Sequence, residues 1–217
     1  MQTFYAKSES LHGKVTNKEH LERVAALAER FGQEIGCPQQ ARLAGQWHDF
    51  GKYSARFQQV LAGTMQHIDH AMPGAVMLYI ARHLPNKPDK LPDYAPVLEA
   101  IQGHHDGLVG LDTLVRQGGE EDMLLALYRD DTANCCPGGK TPALRGTAEY
   151  AGAWQAFAAD FPGLRIPALP ARHCQNRVED MLDTRMLFSC LVDADYSTSA
   201  ADNDPLYLQK ASGAPLN

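Results

Sequence analysis

The sequence predicts an all-α domain, and three observations carry that expectation. Apolar residues recur at helical spacing along most of the chain. Strand signals are scarce. Start and stop signals punctuate the apolar segments at helix-sized intervals.

Thr16-Asn17-Lys18-Glu19 is a capping box, with Thr16 as N-cap and Glu19 three residues on. Leu21, Val24, Ala25, Ala28 and Phe31 follow at helix spacing, and Gly32 and Gly36 offer stops. Pro38 suits a first helical position; Leu43, Ala44 and Trp47 continue that helix, with Gly51 as its C′ residue. Phe57, Val60 and Leu61 mark a short third helix ending near Gly63. The next runs from about Asp69 or Met72 to His83, with Pro73 near its first turn. A Pro/Lys loop leads to a helix over Pro96–His105, and Leu111–Gln117 and Glu120–Asp130 read as two short helices.

Residues 131–147 read as a mobile surface loop. Its Gly-Gly-Lys-Thr run is no phosphate loop: that motif needs glycine five residues before Gly139, where Asn134 stands, and no strand precedes it. Ala148–Asp160 is helical, residues 161–170 are irregular, and Cys174–Ala200 is the longest helix. There is no internal repeat. One domain is expected over 1–217, with 202–217 a tail or the start of a linker.

With 44% hydrophobic and 21% charged residues, the 217-residue chain has the composition of a folded globular protein. No apolar run approaches the roughly 20 residues of a membrane helix, and the N-terminus carries no secretory signal. Five cysteines, odd in number and never spaced C-x-x-C, favour reduced thiols and a cytoplasmic location. The net charge of −6 argues against a free-standing, tight nucleic-acid binder. Any grip on a polynucleotide is local or comes from a partner.

The nine histidines matter for their placement. His48-Asp49 precedes Gly51 and Lys52 at the expected end of the second helix. Adjacent helical residues diverge by about 100°, so the two can flank one ion where a helix end faces a cavity. Imidazole with carboxylate suits first-row divalent metals. His20 shares a face with Val24, Leu27 and Phe31, and His70 with Gly74, Met77 and Ala81. His104 and His105 close the helix bearing Val97, Leu98 and Ile101, just before the Asp106-Gly107 turn. In the last helix Val178, Met181, Leu182, Phe188 and Val192 form a stripe whose next member is Asp195, which favours Asp195 over Asp193. Each residue alone reads as structure, a bonded core histidine or a solvated helix end. Seven together, His20, His48, Asp49, His70, His104, His105 and Asp195, exceed the about four to six ligands one ion uses. If they converge they suggest two ions, a pair that activates water and stabilises both oxygens in phosphoryl transfer.

The ordered pattern H…HD…H…HH…D resembles the HD phosphohydrolase superfamily. More narrowly, it is similar to the CRISPR-associated HD nuclease, the nuclease part of the type I CRISPR nuclease-helicase. The matching stretches are EHLERVAALAERFG with His20, LAGQWHDFGKYSARFQ with His48, Asp49 and Lys52, and IDHAMPGAVML with His70. GHHDGL supplies His104 and His105, and RMLFSCLVDADYSTSA supplies Asp195, with Ser199 a further candidate. HD-x-G-K, a paired HH and a late A-D helix are together far more specific than HD alone.

The resemblance implies an α-helical domain that binds one or two divalent ions and cuts single-stranded DNA. It implies that His20, His48, Asp49 and Asp195 hold one ion, and that Asp49 bridges to a second held by His70, His104 and His105. Asp49 and Lys52 are then the catalytic pair, Lys52 neutralising charge on the scissile phosphate. His-rich sites suit manganese, iron, cobalt or nickel more than magnesium. The implied partners are single-stranded DNA, a helicase (on a separate chain or in a missing C-terminal part) and an RNA-guided surveillance complex in antiviral defence, with no membrane. Guide pairing would read the sequence, and a groove with Lys52, Arg42 and Arg56 would hold the strand. His12, His67, His83 and His173 match no motif position. Rival readings are an HD phosphohydrolase acting on nucleotides or cyclic nucleotides, and a metal-binding regulatory module without catalysis.

Overall fold

The computed structural model describes residues 2–8, 13–83, 94–108, 141–142, 146–169 and 177–204. Seven α-helices lie among these residues: α1 (Asn17–Glu34), α2 (Pro38–Trp47), α3 (Ala55–Leu61), α4 (Met72–His83), α5 (Ala95–Gly103), α6 (Gly146–Asp160) and α7 (Arg177–Ala201). The all-α expectation holds. The two short helices expected over 111–117 and 120–130 lie outside the described residues, as does the tail beyond residue 204. So does most of 131–147, but Thr141–Pro142 (β2) pair in parallel with Ile68–Asp69 (β1), a two-residue contact, and Gly146 already begins α6.

α1 begins where its capping box places it, the Thr16 hydroxyl accepting from the Glu19 N–H at 3.2 Å. Gly32 is not a stop. It lies inside α1, where a Cβ would come within 2.7 Å of the Ala41 Cβ on α2. Gly36, at φ +73°, makes the turn instead. α1 packs along α2 and α7, and α5 packs against α2, α4 and α7. Leu21, Val24, Trp47, Val76, Ile101 and Leu191 are buried in the shared core. At about 1.5–3 kcal/mol for each buried large apolar side chain, that contact dominates the helix packing.

The second helix ends earlier than expected. His48 is the C-cap of α2, still at helical angles (φ −56°, ψ −40°). Asp49 departs from them (φ −105°, ψ 22°) and opens a 3-10 turn, Phe50–Tyr53. Gly51 therefore sits within that turn and is no C′ residue. The turn is fixed by an aromatic cluster. The Trp47 and Phe157 rings lie 4.7 Å apart, Phe157 meets Phe50 and Tyr53 edge-on, and the Tyr53 hydroxyl donates to Asp160 at 2.7 Å. Such pairs add about 0.5–1.5 kcal/mol each beyond their buried area.

The stripe expected along the last helix is also corrected. Val178, Met181 and Leu182 are exposed, and the buried face of α7 is Thr184, Leu187, Leu191, Ala194 and Thr198. Its far end is held by charge: Asp202 pairs with Lys7 at 2.8 Å and with Arg23 at 2.5 Å. That ties α7 to α1 and to the N-terminal strap, whose Tyr5 bridges Thr16. Among the described residues no helix is long and apolar enough to cross a membrane.

Candidate metal centre

All seven predicted ligands arrive at one place, from five parts of the chain. His20 comes from the first turns of α1, His48 and Asp49 from the end of α2, His104 and His105 from just past α5, and Asp195 from α7. His70 reaches the cluster by another route than expected. It lies between β1 and α4 rather than on a helix face, because the Asp69 side chain caps the next helix. Asp69 Oδ1 accepts from the Ala71 N–H at 2.9 Å and the Met72 N–H at 3.3 Å, which holds the start of α4 at Met72.

Asp49 is the centre of the arrangement, and its two oxygens face different partners. Oδ2 lies 3.0 Å from His20 Nε2 and 3.2 Å from His48 Nε2. Oδ1 lies 3.3 Å from His70 Nε2 and 3.7 Å from His104 Nε2. His105 Nε2 stands 2.8 Å from His70 Nε2, and Asp195 Oδ1 stands 3.2 Å from His20 Nε2. The donor atoms fall into overlapping sets able to hold an ion: Asp49, His70, His104 and His105; His20, His48 and Asp49; His48, His104 and Asp195. Asp195 is the late carboxylate of the cluster, whereas Asp193 is exposed.

The hydrogen-bond pattern suits metal ligation. His48 Nδ1 donates to the Gly45 carbonyl at 2.8 Å and His104 Nδ1 to the Ile101 carbonyl at 2.6 Å. A carbonyl only accepts, so Nδ1 carries the proton in each ring and Nε2 offers its lone pair to the centre. His48 Nε2, His104 Nε2, both nitrogens of His20 and Asp49 Oδ1 are buried without a hydrogen bond. Each such orphan costs about 1–3 kcal/mol, and a cation among them would satisfy the ones gathered around Asp49: the Nε2 atoms of His20, His48 and His104, and Asp49 Oδ1.

Charge points the same way. Burial opposes a charged His48, yet Asp49 and Asp195 beside it push it up to about 10. Burial also opposes ionised Asp49 and Asp195, yet the cationic and hydrogen-bonding neighbours hold both well below the usual carboxylate range. These two carboxylates demand positive charge, and a divalent ion supplies it more directly than a proton on His48. His105 is pushed down to about 3 by burial and by His104 and His70, and burial lowers His70, so both rings are neutral and ready to ligate.

Lys52 is not a solvated helix-end lysine. It is 8% exposed, with Nζ 2.5 Å from Asp49 Oδ2 and 5.6 Å from the Phe57 ring centroid. Gly51 beside it is required by a close approach. A Cβ there would meet the His70 carbonyl and stand 2.7 Å from the His70 Cα. Bare backbone lets the turn carrying Asp49 and Lys52 pack on the segment carrying His70. The site opens on the side of His105, which is exposed, and Asp195, 21% exposed. Of the arginines expected in the groove, Arg42 is engaged by Glu29 at 2.6 Å, and Arg56 is half-buried on α3. His67 is exposed, its ring centroid 6.3 Å from that of His70. The His83 side chain, His12 and His173 lie outside the described residues.

Residues 17–135 match the family described as HD domain. This chain belongs to the HD-domain family. HD domains are metal-dependent phosphohydrolases, and the convergent His/Asp cluster of this chain is able to hold a metal ion. A comparison with curated proteins gives no match. The HD-domain match ends before α7, so Asp195 joins the cluster from beyond it.

Two polar residues near the site were not legible in the sequence. Asn17 Nδ2 donates to the Asp49 carbonyl at 3.2 Å, and Gln58 Nε2 to the Lys52 carbonyl at 2.8 Å. Asn17 falls within the capping box and reads as an ordinary helix-start residue. Only the tertiary contact shows that its side chain faces inward.

Proposed function

We propose that this HD domain is a divalent-metal-dependent nuclease that hydrolyses phosphodiester bonds of single-stranded DNA in CRISPR interference, working with a helicase and an RNA-guided complex. The observation that carries the reading is the division of the Asp49 oxygens between two sets of histidines. That division favours a site for two ions. Bound there, divalent ions lower the pKa of water and offset charge on the attacking and leaving oxygens of an in-line displacement. His20, His48, Asp49 and Asp195 would hold one ion, and Asp49, His70, His104 and His105 the other. Manganese, iron, cobalt or nickel suit so imidazole-rich a set better than magnesium. The choice of DNA rests on the motif resemblance: HD-x-G-K at 48–52, the pair at 104–105 and the late aspartate at 195.

The protein's own groups complete the account. Lys52, held beside Asp49, offers a fixed positive charge to a scissile phosphate entering on the His105 side, where preorganised charge acts most strongly. The Nδ1 bonds of His48 and His104 hold both rings in the ligating tautomer before substrate arrives. With a net charge of −6 the chain has little to hold or open a duplex, which favours single strands delivered by a motor.

The test is an assay of the purified chain with manganese on circular single-stranded DNA, duplex DNA and a panel of nucleotides and cyclic nucleotides. Circular single strands should be cut, duplex far more slowly, and cutting should fall steeply as salt rises. Hydrolysis of the nucleotide panel with intact DNA would overturn the reading in favour of a nucleotide phosphohydrolase.

A further inference from the structure

The 3-10 turn that follows Asp49 and carries Lys52 is gripped from outside by two side-chain amides, and one of them ties the helix bearing His20 to the shared Asp49. Asn17 is the first residue of α1, three residues before His20, and is fully buried. Its backbone N–H donates to the Phe4 carbonyl at 2.8 Å, which anchors it to the N-terminal strap. Its side-chain Nδ2 donates to the Asp49 carbonyl at 3.2 Å. The Asp49 peptide is the point where the chain leaves helical angles (φ −105°, ψ 22°). The same carbonyl accepts from the Lys52 N–H at 3.0 Å, so the two donors together hold the peptide that follows Asp49, and Asn17 is the one that ties it to α1.

Stability does not account for an asparagine here. Asn17 Oδ1 is buried with no partner, and that orphan acceptor offsets what the single Nδ2 bond contributes. An apolar residue of the same size would suit a buried helix start at least as well. What it could not do is hold α1 and the Asp49 turn in one register, with His20 Nε2 at 3.0 Å from Asp49 Oδ2.

We propose that Asn17 is a positioning residue of the metal centre: through the Asp49 carbonyl it aims the shared carboxylate so that each oxygen serves a different half-site. This inference rests on the two-ion reading above. Gln58 supplies the internal comparison. It makes the same kind of bond to the Lys52 carbonyl at 2.8 Å, three residues on, where no ligand is carried.

The experiment titrates manganese into the full chain, following affinity by calorimetry and ion pairing by electron paramagnetic resonance. It compares the wild type with Asn17→Leu and Gln58→Met and records melting of the metal-free proteins. The wild type should bind two spin-coupled ions. Asn17→Leu should melt as the wild type does but bind the weaker ion about 10–100-fold less tightly, with the coupling lost. Gln58→Met should keep wild-type affinity and coupling. Normal coupling in Asn17→Leu, or an equal loss in Gln58→Met, overturns the inference while leaving the two-ion reading intact. A wild type that binds no metal overturns both. If Asn17→Leu does not fold, the wild-type Asn17 side-chain amide resonance decides. It should move as a diamagnetic divalent ion is added, and a resonance that stays put overturns the proposal.

Discussion

Replacing Asp49 by asparagine probes the centre with the least disturbance of shape. The side chain keeps its volume, and one oxygen remains to face Lys52 or the histidines. The second oxygen becomes an amide nitrogen carrying two protons, which cannot ligate. Because Oδ1 and Oδ2 face different histidines, one half-site loses its oxygen whichever way the amide turns. The site also loses one of its two carboxylate charges. Partners that only orient a ligand are worth about 10–100-fold in metal affinity. Loss of a direct donor therefore belongs at or above the top of that range, at least about 100-fold, or roughly 2.7 kcal/mol for one ion. At about ten times the wild-type dissociation constant, where the wild type is about 90% occupied, the two-ion state should fall to about 10% or less, and cleavage with it. Helical circular dichroism should persist, because the core of Leu21, Trp47, Ile101 and Leu191 does not depend on this carboxylate. The assay pairs calorimetric manganese titration with cleavage of circular single-stranded DNA. Wild-type affinity and rate at matched metal would refute the reasoning.

Three further predictions test neighbouring parts of the account. Lys52→Ala should lower the cleavage rate by about 10²–10³-fold while metal affinity stays within a few-fold of wild type; equal losses in both would make Lys52 structural. Gly51→Ala puts a Cβ against the His70 backbone, so it should cost about 3 kcal/mol in thermal stability and weaken the ion held by His70; unchanged melting and metal binding would show that the approach is not tight. Burial raises the Glu99 carboxyl from 4.5 to about 7, so the folded chain favours its neutral form, and that contribution is complete below pH 4.5 and lost as pH rises through about 7. Glu99→Gln should therefore stabilise the fold by roughly 2 kcal/mol above pH 7, with the gap in melting temperature closing toward pH 4.5; a gap independent of pH would contradict this.

The helices were legible where local chemistry sets them. Thr16 caps α1 because its hydroxyl can reach the Glu19 N–H, and Pro38 opens α2 because its missing N–H is not needed there. The candidate ligands were legible as a pattern of histidines and aspartates, and all seven side chains converge. Sequence and structure part where tertiary contact overrides local signals. Gly32 and Gly51 read as stops, but their missing side chains serve close approach to Ala41 and to His70. His70 read as a helix-face residue because nothing local shows that Asp69 delays α4. Spacing alone puts the exposed start of α7 into a buried stripe, since apolar periodicity does not tell which face meets the core. Asn17 carried no signal, because an inward amide looks like any polar residue in a capping box.

On the proposed reading, seven side chains from five parts of the chain form one two-ion centre with Asp49 between the halves. Anomalous diffraction from crystals of the full chain soaked in manganese tests it most directly. Two peaks are expected, one beside His20, His48 and Asp195 and the other beside His70, His104 and His105, with an Asp49 oxygen turned to each. An absence of bound manganese at saturating concentration, or a single ion that leaves Asp49 aside, would contradict it.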